Sequence, residues 1–335
     1  MALMTPPQRT GRARRIGVLV AALLSLGAAA TPSSPAAAAE EPAPAASAMP
    51  FAPYFYNGWG DPPDPLAVME ATGVRHFTLA FILSNGYCDP QWDGARPLTG
   101  GADEQLISQI RAAGGDVVPS FGGWSGNKLE SSCATAEELA AAYQAVIDAY
   151  GLTAIDIDLE AEAYDDPATQ QRTVDALAAV KAANPGLEVY VTIGSYQSGP
   201  DTSLIDRAAA AGLTVDAWTI MPFNFGGTGQ DMGQLTITAA EGLNAALRSA
   251  YGYTQQEAYQ VMGISSMNGL TDVGETVTVA DFETILGYAQ QNGLARLAFW
   301  SVNRDRNCTG GSSASCSGVS QSDWEYTRVF AQFTG

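Results

Sequence analysis

Strand-like and helix-like segments alternate eight times along this chain. The strand-like segments are short apolar runs at 51–56, 76–83, 116–123, 154–161, 188–195, 217–224, 261–267 and 294–302. The stretches between them show helical spacing of apolar positions, and several end on glycine, which is typical of a helix C-terminus. Eight β-then-α units within about 285 residues predict an α/β fold, a single (β/α)₈ or TIM barrel. A doubly wound open sheet is the alternative, which the lack of a glycine-rich fingerprint after the first strand disfavours.

The fourth strand-like segment, TAIDIDLEAE, has an acid at every second position: Asp156, Asp158, Glu160 and Glu162. Alternate side chains of a strand point to opposite faces, so one face carries carboxylates and the other is apolar. In a barrel the apolar face would pack on helices and the acidic face would point inward. A solvated edge strand is the alternative, and it is disfavoured because a closed barrel has no edge.

Neighbouring buried carboxylates cannot all be ionised, so they share protons and their pKa values move apart. Such a cluster keeps one acid protonated near neutral pH, as general acid catalysis requires. Active sites of these barrels lie at the C-terminal ends of the strands. Glu160 stands at that end and is therefore the candidate acid, with Asp158 and Asp156 below it. Glu162 is already in the loop, where we expect it to be exposed.

The segment T-A-I-D-I-D-L-E resembles the D-G-x-D-x-D-x-E signature of glycoside hydrolase family 18, the chitinases and their relatives. Thr153 and Ala154 replace the first Asp and the Gly of that signature. Three further segments are similar to family motifs on strands three, six and eight: SFGG (120–123), MPFN (221–224) and FWSVNRD (299–305). The resemblance covers about residues 50 to 335.

The resemblance implies a secreted, endo-acting chitinase that hydrolyses β-1,4-linked N-acetylglucosamine polymers with retention of configuration. Glu160 would be general acid and then base, while the substrate's acetamido oxygen attacks and forms an oxazolinium ion. Asp158 would hold the acetamido N–H, and Asp156 would share a proton with Asp158. One alternative is an endo-β-N-acetylglucosaminidase acting on N-glycan cores. Another is a catalytically weak glycan-binding lectin, although such proteins typically lack the acid that Glu160 provides here.

The resemblance also implies a set of substrate-binding residues. Trp300 would form the floor under the sugar, and Met221, Phe223 and Asn224 would line the strand-six side. Phe223 stands where many family members have a tyrosine, so its ring cannot donate that hydroxyl hydrogen bond, and Tyr196 is a candidate replacement. Asn224 stands in place of an aspartate, which removes a charge near the acids.

Other aromatic residues lie at or beyond strand ends. They could form sugar subsites because sugar rings pack on aromatic faces. Core packing is an equal alternative for each of them. They are Tyr54, Trp59, Trp92 and Trp124.

Residues 1–39 have the pattern of a secretory signal peptide: four arginines, an apolar run at 16–30 and a small-residue site before Glu40. Residues 40–48 are rich in Pro and Ala and predict a linker, which leaves 49–335 as the catalytic barrel. We therefore expect a secreted, extracellular protein. Arg14 and Arg15 before the apolar run leave general and twin-arginine export both open.

Charge and composition exclude several kinds of partner. Removal of the four N-terminal arginines lowers the formal charge from −19 to −23, which disfavours binding to nucleic acid or to anionic membranes. The single histidine, His76, argues against a histidine-rich metal site and against a Ser-His-Asp triad. We expect no metal, no cofactor and a monomer, with chitin or another N-acetylglucosamine oligosaccharide as partner.

Four cysteines in an exported chain suggest two disulfides. Cys308 and Cys316 flank a short Gly/Ser loop, and their proximity predicts one bridge. Cys88 and Cys133 then pair by elimination.

Overall fold

Eight parallel strands form a ring in the computed structural model, which describes residues 49–308 and 311–335. The strands are β1 (Tyr54–Tyr56), β2 (His76–Ser84), β4 (Asp116–Gly122), β5 (Ala154–Leu159), β6 (Glu188–Gly194), β7 (Ala217–Met221), β8 (Met262–Met267) and β11 (Arg296–Trp300). A parallel bridge between Phe51 and Leu297 brings the last strand to the first, and the Leu297 N–H donates to the Pro50 carbonyl at 2.7 Å. The predicted (β/α)₈ barrel is confirmed, and the open sheet is wrong.

Helices follow the strands and cover the outside of the ring. They are α1 (Pro65–Thr72), α2 (Ala102–Ala112), α3 (Leu129–Ser132), α4 (Ala136–Tyr150), α5 (Ala161–Asp165), α6 (Pro167–Ala183), α7 (Ser203–Ala210), α8 (Met232–Tyr251), α9 (Gln255–Tyr259), α10 (Val279–Asn292) and α11 (Glu325–Phe330). Side-chain caps begin several of them. At α4, the Thr135 side chain accepts from the Glu138 N–H at 3.2 Å, and Gly151 ends the helix in the left-handed conformation.

Two short antiparallel additions to the barrel have no clear signal in the sequence. Strand β3 (Pro90–Trp92) pairs with β2. Strands β9 (Gly269–Leu270) and β10 (Thr276–Val277) form the hairpin 269–277, which follows β8 directly. This hairpin lies at the C-terminal end of the barrel, where it can reach the acidic strand's end.

The acidic strand β5 is buried on both faces. Ile155, Ile157 and Leu159 belong to the large apolar cluster that includes side chains of the outer helices. Asp156 and Asp158 on the other face are also buried. A solvated edge strand is therefore excluded, and the carboxylates occupy interior positions that aliphatic side chains usually fill.

Both predicted disulfides are present. The Cα atoms of Cys88 and Cys133 are 4.6 Å apart, and those of Cys308 and Cys316 are 5.8 Å apart. The first bridge fastens the segment after β4 to the loop after β2. The predicted signal peptide (1–39) and linker (40–48) lie outside the described residues. Within the described part of the chain, no helix combines the length and the apolar character needed to cross a bilayer.

Candidate active site

Asp156 is the deepest acid of the row and accepts three hydroxyl hydrogen bonds. Ser120 on β4 donates at 2.6 Å, Thr192 on β6 at 2.7 Å and Tyr54 on β1 at 2.8 Å. The strand register explains the first contact, because Ser120 stands directly opposite Asp156. Three donors suit a negatively charged acceptor in a buried site. Burial and the neighbouring acids Asp156 and Asp158 raise the pKa of Tyr54, so its hydroxyl stays a donor.

Asp158 lies one step higher on the same face. It is buried, and burial together with the charges of Glu160 and Asp156 raises its pKa well above the ordinary value. Among the described residues, its Oδ1 atom has no hydrogen-bond partner. Asp158 is therefore harder to ionise than an ordinary aspartate, and one of its oxygens is free for a group that enters from above.

Two glycines bring the neighbouring strand close to Asp158. A Cβ on Gly122, whose φ is +96°, would lie 2.2 Å from the Asp158 carbonyl oxygen. The Gly123 N–H donates to that same oxygen at 2.8 Å, and a Cβ on Gly123 would meet the Phe81 ring at 2.8 Å. The SFGG segment therefore needs its glycines for close approach and for a left-handed backbone.

Glu160 stands at the rim, immediately after the last residue of β5. It is the N-cap residue of α5, so the strand ends one residue before it, earlier than the predicted strand end at 161. Burial raises the pKa of Glu160 to about 7; the charge of Lys128 opposes this rise and that of Asp272 adds to it. An acid with a pKa near neutrality can donate a proton and later take one back.

An aromatic floor borders the acids. The Trp300 ring is stacked on Phe81, with centroids 5.7 Å apart and planes at 12°. Tyr54 and Tyr56 pack against the same indole, at 5.9 Å and 6.2 Å between ring centroids. Trp300 itself keeps part of its surface exposed at the C-terminal end of β11. A partly open indole beside a proton donor is suited to a sugar ring.

Comparisons with known proteins agree with this geometry. The chain is 27% identical over 307 residues to a probable bifunctional chitinase/lysozyme of Escherichia coli K12, with 85% of this chain and 34% of that protein aligned. It is 26% identical over 273 residues to endochitinase 11 of Metarhizium anisopliae, with 76% of this chain and 52% of that protein aligned. The chain thus spans about a third and about half of the length of these curated relatives. No family model matches the chain.

Solved structures give the same result. Active domain 2 of a chitinase from Pyrococcus furiosus superposes with a TM-score of 0.77 at 29% identity, over 87% of this chain and 96% of that one. A family 18 chitinase from Chromobacterium violaceum shares the fold, with a TM-score of 0.59 at 17% identity over 86% and 84% of the two chains. Together these likenesses support a chitinase-like family, glycoside hydrolase family 18, for this chain.

The remaining predicted site residues lie at the same end of the barrel. Met221 is buried at the end of β7, and Phe223 follows in a tight turn with its N–H on the Met221 carbonyl at 3.0 Å. Asn224 is exposed, has a φ of +59° and contacts the hairpin 269–277 through Asp272. The Tyr196 side chain is 69% exposed, so its hydroxyl is available to solvent and to ligands alike.

The strand-end aromatics divide into two groups. Trp59 and Trp124 are exposed large side chains, and Trp124 is 71% exposed. Trp92 is buried, with its indole N–H donated to the Tyr150 hydroxyl at 2.9 Å, so core packing accounts for it. Tyr54 is only 2% exposed, and its hydroxyl donates to Asp156. Tyr54 therefore contacts the acids and has no open face for a sugar.

Sequence reasoning missed four residues of the site. Ser120 and Thr192 hold Asp156 from the flanking strands, and Lys128 and Asp272 set the charge around Glu160. Ser120 was within a recognised motif, and period-two alternation places Thr192 on the inner face of its strand. Lys128 and Asp272 lie in loops, where no periodicity gives their direction. Within residues 49–308 and 311–335, no three His, Cys, Asp or Glu side chains are arranged to hold a metal ion.

Proposed function

We propose that this chain is a secreted, endo-acting chitinase that cleaves β-1,4-linked N-acetylglucosamine polymers with retention of configuration. The position of Glu160 carries the proposal. A carboxyl at the barrel rim, with a pKa raised to about 7 by burial, stands directly above two buried acids on one strand face. The names of the similar proteins, a chitinase domain and an endochitinase, support chitin as the substrate.

In the proposed mechanism Glu160 protonates the glycosidic oxygen and the bond to the leaving sugar breaks. The acetamido oxygen of the sugar under attack bonds to its anomeric carbon and gives an oxazolinium ion. Glu160, now ionised, takes a proton from water, and that water opens the oxazolinium to the retained product. A substrate-assisted route of this kind needs no second carboxylate as nucleophile, which agrees with acids on a single strand.

Asp158 acts on the acetamido group in this mechanism. Its free Oδ1 atom accepts a hydrogen bond from the acetamido N–H, which turns the acetamido oxygen toward the anomeric carbon. The positive charge of the oxazolinium favours ionisation of Asp158, and a proton can then move toward Asp156 below it. The three hydroxyl donors hold Asp156 in place at the bottom of this acid row. Preorganised groups of this kind stabilise charge that develops in the transition state.

Trp300 supplies the floor of the subsite at the cleaved bond. Phe81 stacks on its indole at 5.7 Å, and the sugar ring would pack on the part of the indole that stays exposed. The exposed side chains of Trp59, Trp124 and Tyr196 extend the aromatic surface beyond the acids. Several aromatic platforms suit a linear polymer, which favours chitin and endo action over a single N-glycan core. The two disulfides support an extracellular location.

The test is hydrolysis of chitin oligosaccharides and of a high-mannose glycopeptide by wild type and Glu160→Gln. We expect cleavage of the oligosaccharides, β-configured products and almost no turnover by the variant with binding retained. Preferential cleavage of the glycopeptide would instead support an endo-β-N-acetylglucosaminidase. Oligosaccharide binding without hydrolysis by the wild type would leave only a lectin function, and inverted products would exclude the acetamido mechanism.

A further inference from the structure

The chain contains two lysines, and they have opposite environments. Lys181 is partly exposed and pairs with Asp216 at 2.5 Å. Lys128 is 3% exposed, and none of the ion pairs in the described residues includes it. A buried ammonium without a contact ion pair is costly, so its position calls for a compensating interaction.

Part of the compensation comes from the backbone of its own segment. The Lys128 Nζ donates to the carbonyl oxygens of Trp124 at 3.0 Å and Gly126 at 3.2 Å. The segment leaves β4 at Gly123, whose N–H is bonded to the Asp158 carbonyl, and it is fastened at Cys133 by the disulfide. Lys128 therefore fixes the backbone at Trp124, one residue after the Gly123 contact with Asp158.

The other part comes from carboxyl groups that face Lys128 from neighbouring elements. Asp158 lies on β5 and Glu160 directly follows it. Glu130 on α3 is fully buried, and one of its oxygens accepts from the Tyr143 hydroxyl at 2.6 Å. Burial raises the pKa of all three acids, and the charge of Lys128 lowers each of them.

Three other charged groups face this cluster. Asp272 of the hairpin 269–277 raises the pKa of Glu160, whereas Lys128 lowers it. Asp156 lies beneath Asp158, and its charge raises the pKa of Asp158. The Arg172 guanidinium reaches the Glu130 carbonyl oxygen at 2.5 Å from α6, so its charge lies on the helix side of the segment. Lys128 is the cation whose effect reaches both upper acids of the row.

We propose that Lys128 is a positioning residue of this active site, where its buried ammonium is the counter-charge of the acid row and fixes the backbone of the segment that carries Trp124. The inference rests on the proposed function and adds to it. Glu160 must exist in both protonation states during one turnover. Burial and the charge of Asp272 disfavour the ionised state of Glu160, and Lys128 favours it without forming a contact ion pair that would remove Glu160 from the substrate.

The activity test compares Lys128→Met with Lys128→Arg, which keeps the charge, and with Lys181→Met as the matched control. The basic limb of the plot of kcat/KM against pH reports the pKa of the proton donor in the free enzyme. In Lys128→Met we expect this limb to move upward by about 0.5 to 1 pH unit, and KM for long oligosaccharides to rise roughly threefold or more as Trp124 is released. Lys128→Arg and Lys181→Met should keep the wild-type limb. If the basic limb of the pH profile is unchanged in Lys128→Met, the proposed role of Lys128 as a counter-charge is wrong.

A second measurement does not depend on activity. The Tm difference between wild type and Lys128→Met should widen as pH rises from 4 to 8, because the acids ionise over this range and lose their counter-charge in the variant. A Tm difference that stays constant with pH reduces Lys128 to a packing role and overturns the proposal. If wild type fails to hydrolyse oligosaccharides, the proposed function fails while this assay still decides on Lys128. If Lys128→Met does not fold, Lys128→Gln replaces it in both assays.

Discussion

Asn224 and Asp272 bind each other through two reciprocal hydrogen bonds. The Asn224 Nδ2 donates to the Asp272 Oδ2 at 3.0 Å, and the Asp272 N–H donates to the Asn224 Oδ1 at 3.2 Å. These bonds join the loop after β7 to the hairpin 269–277, and the charge of Asp272 raises the pKa of Glu160. Asn224 stands where the similar family motif has an aspartate. The hairpin 269–277 supplies a carboxylate, that of Asp272, next to the Asn224 side chain.

Asp272→Asn should therefore make Glu160 a stronger acid. Loss of the nearby negative charge lowers the pKa of Glu160 from its value of about 7, so the basic limb of kcat/KM should move to lower pH. We expect a shift of about 0.5 to 1 pH unit, because Asp272 is exposed and its field is screened. The matched control is Glu283→Gln on the outer helix α10, which removes one negative charge far from the site and should leave the limb unchanged. A shift of equal size in both variants would show that only net charge matters.

Tyr54→Phe tests the support of Asp156. The variant keeps the buried ring but removes one of three donors to a carboxylate, so the free energy of unfolding should fall by about 1.5 to 3 kcal/mol at neutral pH. Tyr326→Phe is the control, because the buried Tyr326 hydroxyl donates to a neutral acceptor, the Val277 carbonyl, at 2.8 Å. There the loss should be about 0.5 to 1.5 kcal/mol. Denaturant unfolding measures both, and a Tyr54 variant as stable as wild type would contradict a stabilising hydrogen bond from Tyr54 to Asp156.

Glu160→Gln should stabilise the protein at alkaline pH. The unfolded chain ionises this glutamate near its ordinary pKa of 4.5, whereas the folded protein holds the proton up to about pH 7. Wild type therefore loses stability as pH rises from 4.5 to 7, and the glutamine variant does not. We expect equal unfolding free energies at pH 4 and a gain of about 1 to 3 kcal/mol at pH 8, after allowance for partial solvent exposure. Glu162→Gln, at an exposed position, should show no such trend; a pH-independent difference for Glu160→Gln would argue against the raised pKa.

The barrel and its acid row could be predicted because they depend on local period. Eight alternating segments determine the ring, and the two-residue repeat of β5 determines which face carries Asp156 and Asp158. The end of β5 was placed two residues too late, because Glu160 begins a helix that shares no periodicity with the strand. The spacing of Thr135 and Glu138 allows a capping box at the start of α4, but the box is half formed, since the Glu138 carboxylate accepts from the Ala134 N–H at 2.8 Å instead.

Contacts between distant loops could not be predicted. Lys128 and Asp272 act on Glu160 from segments 32 residues before it and 112 residues after it in the numbering, and neither segment has a pattern that fixes its direction. Tyr54 shows the same limit. Its place on the first strand was visible, but whether its ring lay in a subsite or beneath one depended on Trp300, from the last strand.

The central claim, proton donation by Glu160, is tested most directly by the dependence on the leaving group. Chitin oligosaccharides have a sugar alcohol as leaving group, which needs a proton, whereas an aryl glycoside with a dinitrophenol leaving group does not. We predict that Glu160→Gln loses roughly a thousandfold in kcat/KM on the oligosaccharide, keeps most of its glycosylation rate on the aryl glycoside, and differs in both from Glu162→Gln, which should match wild type. Equal losses on the two substrates, or an active variant on the oligosaccharide, would contradict the assignment of Glu160 as the proton donor.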